Sequence, residues 1–306
     1  MMNASSVALV NMEKFINGTK EERRHVACEF GQALKEVGFV AIYNCGINFE
    51  VVDKAYACSR RFFKELNESQ RNKYLAKGNQ GYVPFNVEHS IYSQIPDLKT
   101  FYHFCGYNQS DSLIPTELPE FKSIMMALHK ELVQCIQHCL QATALYLGYE
   151  EEEETILADM LCGGVIRLLY YPALDVKNIP ENSYRSAPHE DVSAMTIIPK
   201  PTASGLRILT RSGEWVDIDF PGDIAIINAG DTLKLLTNGI IPSTTHCVIN
   251  PQDTSERFSI PMFSDFKPDT PLKILNKCAT YNDNSIAEKI ITYQEFLYNR
   301  LKSVGY

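Results

Sequence analysis

The chain has 306 residues, 45% apolar and 22% charged, an ordinary globular composition and enough length for one large domain or two smaller ones. A formal charge of −8, a sequence pI near 5.5 and no concentrated basic stretch argue against nucleic acid as a partner. Nine cysteines without CxxC spacing fit a reduced compartment, the cytosol, and no basic leader with an apolar core or run of 18 uncharged apolar residues is present, so no membrane span is expected.

Val26, Phe30 and Leu34 at four-residue spacing predict a helix over about Lys20 to Lys35, and "VGFVAIYNC" (Val37 to Cys45) then reads as a strand. A second helix is expected over Phe49 to Leu66. From Gly78 to Asn108, Gly81, Pro84, Pro96 and many aromatics without periodicity suggest a structured loop region wrapping a surface or lining a pocket. Leu118 to Leu147 carries the longest helical pattern, with Leu128, Leu132, Ile136, Leu140 and Leu147 along one face. Cys135 and Cys139 flank His138 on that helix and read as core packing rather than a metal site. The acidic run Glu150 to Glu154 reads as the solvated first turn of a short helix.

After Cys162 short β-branched runs recur between turn signals: "VIRLLYY", "AMTIIP", "GLRILT", "EWVDID", "IAIINA", "THCVIN" and "RFSIPMF". Many short strands joined by tight turns mean a sandwich or barrel, against which the earlier helices pack as one body.

In "APHEDVSAM", His189 and Asp191 stand two apart, a spacing that on extended chain turns both to one side. Alone the tripeptide favours a solvated polar turn entering a strand, and the metal reading needs a third ligand. Leaving out His189, the β-rich part holds one histidine, His246, separated from Asp191 by 54 intervening residues (192 to 245). Two imidazoles and a carboxylate make the facial triad of non-haem Fe(II) oxygenases, which leaves three coordination positions open. After ten further intervening residues (247 to 256), Arg257 and Ser259 repeat the two-apart spacing, and a guanidinium fork with a hydroxyl is a receptor for a carboxylate.

With these motifs the sequence resembles the isopenicillin N synthase-like family of Fe(II)- and 2-oxoglutarate-dependent oxygenases, its bacterial members most. "VGFVAIYNCGI", "GYVPFNVEHS", "IPDLKTFYHF", "YYP", "PHEDVSAMTIIP", "PGDIAIINAGDTLKLLTNG", "PSTTHCVINP" and "RFSIPMF" follow in family order, nearly end to end. The resemblance implies a mainly β fold, a double-stranded β-helix (jelly roll) core braced by N-terminal and C-terminal helices. Residues 1–115 would form the N-terminal region with the substrate-side loops, 116–160 bracing helices, 161–270 the jelly-roll core and 271–306 a C-terminal helical extension. It implies His189, Asp191 and His246 as iron ligands, and Arg257, Ser259 and Tyr171 as the receptor for the far carboxylate of 2-oxoglutarate. With the aromatic composition of the loop region, it implies a substrate pocket lined by Tyr82, Phe85, His89, Phe101, His103 and Phe263. Leu169 and Cys247 stand where many members carry asparagine and arginine, and Cys45 where histidine is common.

The activity implied is oxidation of a small molecule by hydroxylation, desaturation or ring closure, with O2 consumed and succinate and CO2 released, by a monomer or simple homo-oligomer. The alternatives are an iron oxidase of isopenicillin N synthase or ACC oxidase type that does not use 2-oxoglutarate, and a non-catalytic small-molecule binder on the same fold. A zinc hydrolase would leave Arg257 and Ser259 unexplained.

Overall fold

The structure is a computed structural model and describes residues 7–88, 95–175, 179–250, 255–281 and 291–303. The N-terminal part runs β1 (Leu9–Asn11), α1 (Glu13–Asn17), α2 (Lys20–Val37), β2 (Phe39–Tyr43), α3 (Phe49–Lys64), α4 (Glu68–Arg71), β3 (Gly81–Val83), β4 (Thr100–Cys105) and α5 (Phe121–Tyr146). The β-rich part follows with β5 (Leu161–Tyr171), β6 (Ser186–His189), β7 (Met195–Pro199), β8 (Leu206–Leu209), β9 (Trp215–Ile218) and β10 (Ala225–Ala229). It ends with α6 (Asp231–Leu236), β11 (His246–Val248), β12 (Arg257–Ser259), β13 (Met262–Phe266) and α7 (Tyr293–Ser303).

Among the described residues two large sheets form. The first runs β1-β2-β10-β7-β13-β5-β4-β3 with β12 also paired to β5, and the second runs β6-β11-β8-β9. Apart from the parallel pair β1–β2, the neighbours in both are antiparallel. The strands sort their side chains by parity. Phe101, Leu169, Tyr171, Ile198 and Ile226 of the large sheet meet Leu206, Ile208 and Val248 of the small one in an inner cluster. Tyr102, Phe104, Ile166, Leu168 and Ile197 point the other way, into a larger core shared with α2, α3 and α5.

The bracing helices form where local signals and burial agree. Thr19 caps α2 in a reciprocal box with Glu22, with bonds of 3.3 and 2.9 Å, and Gly38 ends it in the left-handed region at φ 76°. Val26, Phe30 and Leu34 are buried as their spacing predicts. On α5, Leu128, Leu132, Ile136 and Leu140 are fully buried, each contributing about 1.5–3 kcal/mol relative to exposure. Cys135 and Cys139 lie in that core.

Two expectations need correction. The stretch from Gly78 to Asn108 is not all loop: β3 and β4 join the large sheet, with Phe101 opposite Leu169 and Tyr102 opposite Leu168. Every residue of β4 is buried, so no polar alternation marks it as a strand. The acidic run is not simply solvated either: Arg24 pairs with Glu150 and Glu151 at 2.6 and 2.7 Å, and Arg23 with Glu154 at 2.7 Å, tying it to α2.

Candidate active site

His189 is the last residue of β6 and His246 the first of β11, and the two are directly opposed across the antiparallel pair, ring centroids 4.3 Å apart. Asp191 lies in the turn after β6, not on a continuing strand. Backbone contacts place it: Asp231 N–H donates to its carbonyl at 2.8 Å, and Gly230 N–H to that of Ala194 at 3.0 Å. This close approach requires glycine, because a Cβ on Gly230 would lie 2.2 Å from the Ser193 carbonyl oxygen and 2.7 Å from that of Asp191. The Asp191 Oδ1 then sits 3.7 Å from His189 Nε2 and 3.8 Å from His246 Nε2. All three ligand atoms lie within 4.8 Å of one another.

The surroundings leave the right atoms bare. His189 Nδ1 donates to the Ala187 carbonyl at 2.8 Å and His246 Nδ1 to that of Thr244 at 3.1 Å, which puts the proton on Nδ1 and the lone pair on each Nε2. Thr244 is itself held by its hydroxyl on the Val37 carbonyl at 2.6 Å, against the glycine that ends α2. Asp191 Oδ2 accepts from Thr196 Oγ1 at 2.6 Å and Asn228 Nδ2 at 2.9 Å, which turns Oδ1 toward the histidines. Removal from water, followed by the neighbouring His246, pushes His189 down to about 4, although its side chain keeps 34% exposure. Burial pushes the Asp191 carboxyl up, but the two histidines and the bonds from Asn228 and Thr196 outweigh it and hold it below its ordinary value.

Arg257 and Ser259 face Tyr171 and Leu169 across β12–β5, and all four are buried. The Arg257 guanidinium lies 5.2 Å from the Tyr171 ring centre and donates Nε to the Ala203 carbonyl at 3.0 Å. Its Nη1 is buried with no hydrogen-bond partner among the described residues. A buried guanidinium nitrogen left unsatisfied is costly, and a carboxylate ligand would satisfy it. Bare Nε2 pair, aimed Oδ1 and orphaned Nη1 together fit an iron ion and a dicarboxylate.

Two family models match: that of the 2OG-Fe(II) oxygenase superfamily over residues 162–265, and that of the N-terminal region of the non-haem dioxygenase in morphine synthesis over residues 7–121. The chain belongs to the 2OG-Fe(II) oxygenase superfamily. Jasmonate-induced oxygenase 3 of Arabidopsis thaliana is 26% identical to it over 270 residues, 84% of this chain and 71% of that protein. A 2OG-Fe(II) oxygenase family protein from Caulobacter crescentus is 28% identical, with a TM-score of 0.84 over 98% of this chain and all of that one. A full-length Neurospora crassa protein, solved in complex with alpha-KG and thymine, is 21% identical and shows the same double-stranded β-helix fold at a TM-score of 0.88, covering 99% of this chain and 98% of that one. As a 2OG-Fe(II) oxygenase the chain is an oxidoreductase that uses Fe(II), 2-oxoglutarate and O2.

The expected substrate wall of this oxygenase divides. Phe101 and His103 stand on the inner face of β4, their rings 4.8 Å apart, and Phe263 lies opposite Thr196, which bonds Asp191. Phe85 is half-buried just after β3, and His89 lies outside the described residues. Tyr82 is a correction: paired with Tyr102, it faces the helices and packs edge-on against Phe62 at 5.6 Å, away from the triad. Leu169 belongs to the inner apolar cluster, Cys247 is buried on β11, and Cys45 touches Cys135 of α5.

Sequence reading missed Thr196, Asn228 and a buried polar network on the inner face. Arg167, between Phe101 and Phe263, donates Nε to His103 Nε2 at 2.6 Å and Nη1 to Glu88 at 3.2 Å. Lys99 pairs with Glu88 at 2.6 Å and Asp97 at 2.7 Å, and Asp97 accepts from Ala187 N–H at 2.9 Å, the residue whose carbonyl holds His189. Burial would lower the Lys99 ammonium, but the two carboxylates hold it above its ordinary value. Burial, then Arg167, pushes His103 well below its own. The signal was present: a lone arginine in "VIRLLYY" and a lone asparagine in "IAIINA" are polar residues inside apolar runs.

Proposed function

We propose that His189, Asp191 and His246 hold one Fe(II), that Arg257, Ser259 and Tyr171 hold the far carboxylate of 2-oxoglutarate, and that the chain oxidises a small molecule seated against the inner faces of β4, β5 and β13. The observation that carries the reading is the buried Arg257 Nη1, without a hydrogen-bond partner among the described residues, on the large sheet whose inner face meets the small sheet that carries the histidines. It supports a carboxylate co-substrate and not merely a bound ion.

The iron, when bound, supplies open coordination positions at which 2-oxoglutarate and O2 react, giving succinate and CO2 as a substrate C–H bond is oxidised. The chain's own residues do the rest. The Nδ1–H bonds to Ala187 and Thr244 orient both imidazoles with Nε2 toward the site, and Asn228 and Thr196 aim one carboxylate oxygen. Arg257 neutralises the far end of the co-substrate in a site closed to water, where a charge-assisted bond is strongest. Phe101 and Phe263 exclude water beside the triad.

Following isotope-labelled 2-oxoglutarate to succinate and CO2 under O2 tests the reading, with and without candidate substrates. Iron-dependent release of labelled succinate is expected. Oxygen uptake indifferent to 2-oxoglutarate would replace it with the oxidase type, in which Arg257 holds the primary substrate's own carboxylate.

A further inference from the structure

Strand β12 is held along one edge by β5. Along its other edge it meets the loop between β7 and β8, residues 200–205, where Thr202 takes the place of a ladder partner. Thr202 N–H donates to the Phe258 carbonyl at 3.1 Å, and Phe258 N–H donates to Thr202 Oγ1 at 2.8 Å. That second N–H belongs to the peptide unit joining Arg257 to Phe258, so the hydroxyl fixes the backbone on which the Arg257 guanidinium stands. The next residue, Ala203, turns its carbonyl onto Arg257 Nε at 3.0 Å, the one hydrogen bond of this guanidinium among the described residues. The loop is pinned on both sides of this pair. Tyr56 of α3 donates its hydroxyl to the Pro199 carbonyl, Lys200 N–H donates to the Ile224 carbonyl and Ile249 N–H to that of Gly205, each at 3.0 Å. Between Pro199 and Pro201, Lys200 stands at φ 23°, a backbone conformation that persists only where its surroundings hold it.

From this geometry we propose that Thr202 is a positioning residue for the co-substrate: its bonds to Phe258 hold the Ala203 carbonyl on Arg257 Nε, and so keep Nη1 directed at the far carboxylate of 2-oxoglutarate. The proposal rests on the dioxygenase reading above. A guanidinium is planar, so fixing its Nε–H fixes the plane and direction of the fork that remains. Arg257 is only 2% exposed, and the end of this long buried side chain is bonded to a single neutral carbonyl, so its aim depends on where that carbonyl stands. Without the Thr202 hydroxyl, Phe258 N–H loses its acceptor, the loop parts from β12 at that point, and Ala203 can carry the guanidinium off the line of the carboxylate. Thr202 is itself exposed, so its hydroxyl can be removed without opening a cavity in the core.

The test compares two keto acids by calorimetry on the full chain loaded with Fe(II) in the absence of oxygen: 2-oxoglutarate, and 2-oxobutyrate, which has the same chelating end and no far carboxylate. Thr202→Val keeps the shape of the side chain and removes the hydroxyl. It should weaken 2-oxoglutarate binding by about three- to tenfold, the contribution of one neutral hydrogen bond, while iron stoichiometry and 2-oxobutyrate binding stay those of the parent. Thr202→Ser retains the hydroxyl and should bind 2-oxoglutarate as the parent does. Parental 2-oxoglutarate affinity in Thr202→Val, equal weakening of both keto acids, or a serine variant that falls with the valine one would overturn the proposal. The parent chain separates the two readings. If it binds 2-oxoglutarate more tightly than 2-oxobutyrate and Arg257→Ala removes that preference, the carboxylate receptor stands and only the role of Thr202 is at stake. If it shows no such preference, the receptor reading fails and the positioning role falls with it.

Discussion

The two faces of β4 and β5 are equally buried and have opposite characters. Facing the helices, Tyr102, Phe104, Ile166 and Leu168 meet Phe62, Phe121 and Leu132 in a continuous apolar core. Facing inward, Lys99, His103 and Arg167 sit among Phe101, Leu169 and Tyr171. One backbone supports both, because alternation assigns successive residues to opposite sides. The side that holds the sheet to its helices can therefore be kept constant while the other is given to recognition, and damage to each should show in a different measurement.

The largest effects belong to the triad. Alanine at His189, Asp191 or His246 should abolish stoichiometric iron binding and turnover while circular dichroism stays that of the parent; full iron loading in His246→Ala would remove it from the site. On the helix side, Leu168→Ala should cost about 2–5 kcal/mol in denaturant unfolding, as cavities in packed cores do. The iron and 2-oxoglutarate affinities of the molecules that remain folded should not change, and a matching loss of iron affinity would break the distinction between the faces.

Arg257→Ala should raise the 2-oxoglutarate concentration for half-saturation by roughly ten- to a hundredfold, with iron still bound, since charge-assisted bonds contribute about 1.5–3 kcal/mol each. Asn228→Ala leaves Asp191 Oδ2 with the Thr196 bond alone and should weaken iron binding within a similar range, about ten- to a hundredfold by calorimetry. The smallest effect is a slope. Burial and Arg167 keep His103 neutral in the folded chain at pH values where the unfolded chain takes up a proton. Stability should therefore fall as pH drops below about 6.5, by up to about 1.4 kcal/mol per pH unit from this group. In His103→Gln that slope should flatten, and an identical pH profile for the two proteins would show that His103 does not carry it.

How legible this was from sequence depends on the range of the contact that defines each feature. The long helices announce themselves through Val26, Phe30 and Leu34 or Leu132, Ile136 and Leu140, whose spacing is a property of the segment alone. His189, Asp191, His246, Arg257 and Ser259 stood out as chemically distinctive types at telling intervals. Strand β4 did not, because with both faces covered its sequence carries no alternation. Tyr82 was assigned to the pocket because its parity depends on its register with Tyr102, 20 residues later, which no local pattern reports. Asn228 and Gly230 act on Asp191 across strands nearly 40 residues apart, so their role is visible only once β7 and β10 are paired.

The direct opposition of His189 and His246 on β6 and β11 has a consequence for how the chain reaches its native state. A slip of one residue in that pairing would turn His246 outward and bring Cys247 in, so only one alignment of the two strands turns both imidazoles to the same side. On the proposed assignment, metal binding would favour the aligned pairing over a one-residue slip by its own binding free energy.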